Sequence, residues 1–309
     1  MTARLLVTVV GATGAQGGAV VRALLETNKY KIRGLTRDAI SEKAQALKRL
    51  SDDIEIVTCD ITKKNDIERA FKDSWAVYAL TDFWTQPDQP EVEMQQGILM
   101  ADVAAALEIP YYIFSTAADV QRISDGKLCV PHATQKAKIQ DYIIEKYPNM
   151  KSIFVRIVFY MQNWTTYAKV SKSDDGVIIF ELPIDLKTEF DMVDVNDTGR
   201  IVREILDNSE KFVGQIIDVC GDVMRFEDVA KIFTKVTGIP AISKTLGEEE
   251  FRARLNWLPK NAQTDLIDMY TWFELYGSYS KENQWKNEQI VTKLNTFEDW
   301  LRTTGWKGE

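Results

Sequence analysis

Histidine is almost absent from this chain, with one copy in 309 residues. Cysteine is scarce as well, and its three copies, Cys59, Cys129 and Cys220, are scattered and odd in number. That excludes a disulfide framework. It also leaves no CxxC or His/Cys spacing suited to a metal, so no metal site is expected. Thiols without such a framework point to a reducing compartment, the cytoplasm first and the nucleus second. Basic residues are the minority among the charges, 38 Lys+Arg against 46 Asp+Glu, for a net charge of −8. A surface of that sign does not neutralise phosphates, so direct nucleic-acid binding is not expected. No apolar run reaches the ~20 residues that span a bilayer. The first apolar run is under way by residue 5, so neither a secretory leader nor a membrane anchor is expected. Linkers rich in proline and serine, internal repeats and low-complexity tracts are missing too. What is present, 45% hydrophobic and 27% charged residues, suits a globular chain with one large domain or two intimate ones.

Glycine is concentrated where it carries information. The apolar run of residues 5–10 is followed by Gly11, Gly14 and Gly17, and then by Val20, Val21, Leu24 and Leu25 at helical spacing. Strand, tight turn and helix is the context that a dinucleotide-binding glycine motif requires. Gly11 permits the turn, and Gly14 lets the backbone approach a pyrophosphate. Gly17 lets the helix lie close to the strand, and the helix N-terminus stabilises the anion. Gly11, Ala12, Thr13, Gly14, Ala15 and Gln16 are therefore the first cofactor-binding candidates.

Strand-like and helix-like segments then alternate. Residues 30–35, 54–59, 76–80, 111–115 and 153–157 read as strands, and 41–50, 65–71, 91–107 and 135–147 as helices. This βαβ rhythm predicts an α/β fold, a Rossmann-type doubly wound parallel sheet. After residue 157 the rhythm breaks. Residues 159–193 are mixed and aromatic, 201–206 look helical, 215–220 look like another strand of the sheet, and 226–236 look helical. Residues 246–309 look mostly helical and hold Trp257, Trp272, Trp285, Trp300 and Trp306, rings expected to build a small core. The expected division is a nucleotide-binding domain at 1–157, with 194–222 returning to it, and a smaller, mostly helical cap at 158–309.

In such a sheet ligands lie beyond the C-terminal strand ends, so the residues after each strand are where function is sought. The second strand ends in Thr36, Arg37 and Asp38. A guanidinium at that position suits a 2′-phosphate, with Lys43 one helical turn further on, so NADP(H) is expected ahead of NAD(H). The competing reading is a solvated Arg37–Asp38 surface pair. Asp60 and Ile61, after the third strand, are placed to flank an adenine, though Asp60 also suits a turn or helix cap. Thr81, Asp82 and Phe83 follow the fourth strand, and Ser115 closes the fifth.

Many reductases of this architecture carry Tyr-x-x-x-Lys on the helix after the fifth strand. Here that spacing is held by His132 and Lys136, which share one helix face. Lys136 is a candidate to hold the nicotinamide ribose. His132, an acid suited to neutral pH, and Tyr160 are candidate proton donors, and Ser115 is a candidate relay. Phe159, Trp164 and the aromatic segment 272–276 either shape a substrate pocket or pack a core.

Together these segments resemble one family. The glycine loop, Thr36-Arg37, residues 81–84 (TDFW), His132-x-x-x-Lys136, residues 155–163 (VRIVFYMQN), 194–199 (DVNDTG) and 214–222 (GQIIDVCGD) are similar to NmrA-like proteins, atypical relatives of the short-chain dehydrogenase/reductases. The similarity covers nearly the whole chain, and it is closer to the animal redox-sensor branch than to the fungal nitrogen-regulator branch. The resemblance implies NAD(P) facing an inter-domain cleft. It adds Val158, Phe159, Tyr160 and Met161 to the nucleotide contacts. It also implies a nucleotide-responsive sensor, acting through a protein partner as a monomer or homodimer. The missing tyrosine puts ordinary carbonyl reduction in doubt. The neighbouring isoflavone and benzylic-ether reductases work with a lysine alone, so an NADPH-dependent reductase of a carbonyl, enone or imine stays the alternative.

Overall fold

The computed structural model describes residues 4–279 and 290–309. Its first half is the expected alternation: β1 (Leu5–Val9), α1 (Ala15–Leu25), β2 (Tyr30–Thr36), α2 (Glu42–Lys48), β3 (Ile54–Thr58), α3 (Lys64–Phe71), β4 (Ala76–Ala79), α4 (Pro90–Ala106), β5 (Tyr111–Thr116), a short α5 (Val120–Ile123), α6 (Pro131–Lys146) and β6 (Ser152–Ile157). The predicted helix at 135–147 begins four residues earlier, because Pro131 occupies its first turn. Proline is preorganised for that position, where its missing N–H costs nothing. His132 thereby becomes a first-turn residue.

The second half runs β7 (Phe159–Tyr160), β8 (Ser171–Lys172), β9 (Ile178–Leu182), β10 (Glu189–Val193), α7 (Val195–Asp207), α8 (Ser209–Phe212), β11 (Ile216–Val219), β12 (Asp222–Arg225), α9 (Phe226–Thr237), β13 (Ala241–Thr245), α10 (Glu248–Arg254), α11 (Lys260–Tyr276) and α12 (Phe297–Thr304). The large sheet has the order β11-β6-β5-β4-β1-β2-β3, and every neighbouring pair in it is parallel. Strand order reverses between β1 and β4, which makes that edge the switch point where ligands bind in such sheets. Two three-stranded sheets, β12-β10-β7 and β13-β9-β8, stand among the C-terminal helices, where mostly helix was expected. In β9 the residues Ile178, Phe180 and Leu182 are buried and those between them half-buried, the period of a one-sided strand.

Both faces of the large sheet are covered. On one, Val20, Val21 and Leu24 of α1 and Ile201, Val202 and Ile205 of α7 share a core with Val7, Ile32, Ile113 and Val155. Gly199 lets α7 lie against α1, since a β-carbon there would be 2.1 Å from the carbonyl oxygen of Ala19. On the other face, α3, α4 and α6 pack through Ile67, Phe71, Met100, Val103 and Ile139. A separate aromatic core around Trp164, Phe180, Phe190, Phe226 and Trp300 holds the small sheets and α9 to α12. Of the tryptophans expected in a core, Trp272 and Trp300 are buried and Trp306 packs against the aromatic core. Trp257 is 70% exposed, and Trp285 lies outside the described residues. No helix among the described residues is long and apolar enough to cross a membrane.

Candidate functional site

The glycine loop is shaped by its own backbone. Gly11 takes φ +64°, a conformation that L side chains rarely adopt. The N–H of Gly14 donates back to the Gly11 carbonyl at 2.9 Å, and that of Ala12 to the Leu35 carbonyl at 3.0 Å. A β-carbon on Gly17 would fall 2.3 Å from the Gly11 oxygen. Helix α1 starts with Gly14 as its cap, and has neither a capping side chain nor an acid in its first turn. Its N-terminus therefore presents a positive dipole end that no side chain caps among the described residues, with Gly14 and Ala15 exposed. Thr13 lies 3.4 Å, hydroxyl to hydroxyl, from Thr36 at the end of β2.

Next to Thr36, Arg37 and Lys43 are exposed, and neither has an ion-pair partner among the described residues. The surface pair with Asp38 does not form. Asp38 instead accepts the N–H of Ile40 at 2.9 Å and closes its own turn. Asp60 is likewise absorbed locally. It accepts the N–H and hydroxyl of Thr62 at 3.0 and 2.6 Å and pairs with Lys63 at 3.2 Å. The Thr62 bonds, with Lys63, hold its carboxyl below the usual range. Ile61 packs on the core of α3, α4 and α6.

Across the switch point, Tyr78 donates to Gln16 Oε1 at 2.7 Å, and Gln16 Nε2 donates to the Tyr160 hydroxyl. Burial pushes Tyr160 up to about 12; the Gln16 bond lowers it and the charge of Asp82 raises it. A phenol so placed releases its proton reluctantly at neutral pH. Val158, Phe159 and Met161 are buried beside it, with Phe159 and Met161 in the aromatic core. Trp164 is also wholly inside that core, and Trp272 is buried on α5 and the start of α6, so both pack rather than line a pocket.

The His-x-x-x-Lys pair is held by two buried carboxylates. Lys136 Nζ donates to Glu93 Oε1, from α4, and to the His132 carbonyl at 3.2 Å. Thr81 donates its hydroxyl to the same Glu93 oxygen at 2.7 Å. Glu93 is 3% exposed, and its Oε2 has no hydrogen-bond partner among the described residues. An ammonium carries three donors, so Lys136 keeps one uncommitted among the described residues. His132 gives its backbone N–H to Asp265 Oδ2 at 3.0 Å, and its ring Nδ1 hydrogen-bonds Asp265 Oδ1. Asp265, on α11, is fully buried, while the histidine side chain keeps 22% of its surface. The ring lies 5.5 Å from Trp84 and 6.0 Å from Phe83. Asp82 caps the turn that carries both, accepting the N–H of Trp84 at 3.1 Å. Ser115 is buried at the end of β5.

A family model described as the NmrA-like family matches residues 4–301. The chain belongs to the NmrA-like family. An NmrA-like family domain-containing protein of Dictyostelium discoideum is 30% identical over 308 residues, 97% of this chain and 98% of its own. An NmrA-like family domain-containing oxidoreductase of Aspergillus campestris, cpsB, is 27% identical over 250 residues, 75% of this chain and 73% of its own. The solved structure of NmrA, a negative transcriptional regulator, in complex with NAD has a TM-score of 0.79 at 15% identity, covering 97% of this chain and 94% of that one. The NADPH-dependent quinone oxidoreductase of Escherichia coli, complexed with NADPH, has a TM-score of 0.75 at 16% identity, covering 97% and 100%. At these identities the likeness of the two structures is one of fold.

Within this NmrA-like chain, Glu93 and Asp265 are the site residues that sequence reasoning missed. A signal existed for Asp265. It interrupts the apolar stripe of Ala262, Leu266, Met269 and Phe273 on α11, and an acid inside such a stripe is buried with a partner. Glu93 is one acid among two in the first turn of α4, and nothing local distinguishes it from Glu91.

Proposed function

We propose that this NmrA-like protein binds NADP(H) at the switch-point edge of the large sheet and reduces a small carbonyl, enone or imine compound. The residues fit the dinucleotide. A loop that a β-carbon at Gly17 would fill leads to an uncapped helix N-terminus suited to the pyrophosphate. Arg37 and Lys43 are cations without an ion-pair partner among the described residues, where the 2′-phosphate of NADP(H) would be recognised. The observation that carries the reductase reading is the Lys136 ammonium. Glu93 fixes it with one donor left over, one helical turn from a histidine held by a buried carboxylate.

The nicotinamide, when bound, supplies the hydride. Lys136 uses its remaining donor on a ribose hydroxyl. His132 provides the proton, and Phe83 and Trp84 beside its ring exclude water. Relatives named as oxidoreductases support the same reading. Three free cysteines accord with action in the cytosol or nucleus.

A second reading, a nucleotide-responsive regulator with a protein partner, as a monomer or homodimer, is favoured by α11. That helix reaches over the site and binds it through Asp265, Asp268 and Asn261. A nucleotide that bound differently to two positions of α11 would shift their balance.

The test is NADPH consumption against a panel of aldehydes, ketones, quinones, enones and imines, after measuring NADPH and NADH affinity in the same preparation. Arg37→Ala is expected to weaken NADPH about tenfold or more and to leave NADH unchanged. Lys136→Ala is expected to abolish turnover. Tight NADPH binding with no turnover anywhere would favour the regulator. Tighter binding of NADH would remove the role given to Arg37.

A further inference from the structure

The Asp265–His132 pair specifies more than proximity. Asp265 lies 133 residues from His132 in sequence and uses both carboxylate oxygens on it, Oδ2 for the backbone N–H and Oδ1 for ring Nδ1. A neighbouring bond repeats the pattern, with the Cys129 N–H donating to Asp268 Oδ2 at 2.7 Å. Helix α11 is thus keyed to the N-terminus of α6 at two points. Trp272 packs on Ala118, Val120, Leu128 and Val130 just beyond them. An ionised carboxylate can only accept. Against a carboxylate in that form, whose Oδ2 takes the backbone donor, the bond to Oδ1 requires a hydrogen at Nδ1. Nε2 is then the one nitrogen left to exchange a proton, on a ring whose neighbours include Phe83 and Trp84.

We propose that Asp265 is a positioning residue that locks His132 in the Nδ1–H tautomer and makes Nε2 its sole proton-transferring atom. The proposal rests on the reductase reading for its use, but not for its test. In that use, the imidazolium gives its Nε2 proton to the oxygen or nitrogen of the bound compound on which the electron pair develops. The neutral ring keeps its other proton at Nδ1, bonded to Asp265, and solvent returns the one lost. This is the logic by which an acid–base histidine is held by a third group. Among the described residues, the charged and titratable groups on the elements packed at this turn include Asp265 and Asp268 on α11, Cys129 ahead of α6, Lys136 on α6 with Glu93 from α4, and Asp82 ahead of the aromatic turn.

His132 is the chain's single histidine, so the full-length protein, ring-labelled with ¹⁵N and free of any purification tag, gives one unambiguous imidazole spectrum. The spectrum is recorded at about pH 9, above the ordinary histidine range, with and without NADP⁺. Nδ1 is expected to be the protonated nitrogen, the reverse of the form free histidine prefers. Asp265→Asn keeps the shape and an acceptor for the backbone, but it can offer the ring a donor. The ring is then expected to switch to Nε2–H, and kcat to fall about 100-fold or more, with NADPH affinity within about threefold. Nε2–H in the wild type, which needs no variant to fold, would overturn the proposal. So would an unchanged ring in Asp265→Asn. A wild type with no turnover on any compound would count against the reductase reading, while the ring spectrum still decides the role of Asp265.

Discussion

The glycine loop and the His132–Lys136 turn lie on the same edge of one sheet, yet they are built in opposite ways. The loop is made by the backbone of one continuous stretch. Its geometry follows from a positive φ at Gly11 and from the missing β-carbon of Gly17. The turn is made by side chains whose partners lie 43 and 133 residues away, Glu93 on α4 and Asp265 on α11. One region is specified by its neighbours in the chain and the other by the completed fold. An error in the first is steric and immediate. An error in the second leaves a buried charge without its counter-charge, and the cost arrives only when everything else has packed.

That contrast can be tested by breaking each side. The largest effect is expected from Lys136→Met, which strands Glu93 as an unpaired, buried carboxylate. The expected loss is about 3–5 kcal/mol of stability, read from urea denaturation. The double variant Lys136→Met/Glu93→Leu should recover most of it, while activity stays absent. Recovery of nothing would mean that the turn is not organised by this pair. Gly17→Ala comes next. A methyl group 2.3 Å from the Gly11 oxygen should cost about 1–3 kcal/mol and weaken NADPH binding. A harmless substitution would show that the loop tolerates a side chain, and the comparison would lose its first term.

The smallest effect is expected far from both, at Glu181 on β9. Burial opposes its ionisation, but bonds from Arg254, Ser171 and Lys244 outweigh it and hold the carboxyl at about 2. A lowered carboxylate stabilises the fold above its unfolded value of about 4.3 and loses that contribution as pH falls toward 2. Thermal melts of Glu181→Gln should therefore run a few degrees below wild type at pH 7 and converge with it near pH 2. A gap independent of pH would assign the effect to packing instead.

The same contrast explains what could be read in the sequence. Strands β1 to β6, the loop and α1 announce themselves by local period and punctuation. Even β11 is visible in the run from Gln215 to Cys220, although it joins the sheet from far away. The start of α6 lies four residues ahead of the predicted 135, where Pro131 occupies the first turn. The two small sheets were hidden by short strands within aromatic sequence, such as Phe159–Tyr160 and Ser171–Lys172, where two residues carry no period. At the site, His132 and Lys136 stood out through their spacing. Their partners did not, because a hydrogen bond across 133 residues writes no pattern at either end except an acid on an apolar stripe.

The contact between α1 and α7 has a consequence for how the protein is made. Val20, Val21 and Leu24 of α1 are wholly buried, and they share their core with Ile201, Val202 and Ile205 of α7. A ribosome that has delivered the first six strands has thus exported a sheet with one apolar helix face still open and its outer β6 edge unpaired until β11 follows. For the time it takes to synthesise the intervening residues, a few seconds to ten or so at ordinary elongation rates, the nascent chain is an aggregation hazard. The first 157 residues expressed alone would keep that hazard permanently.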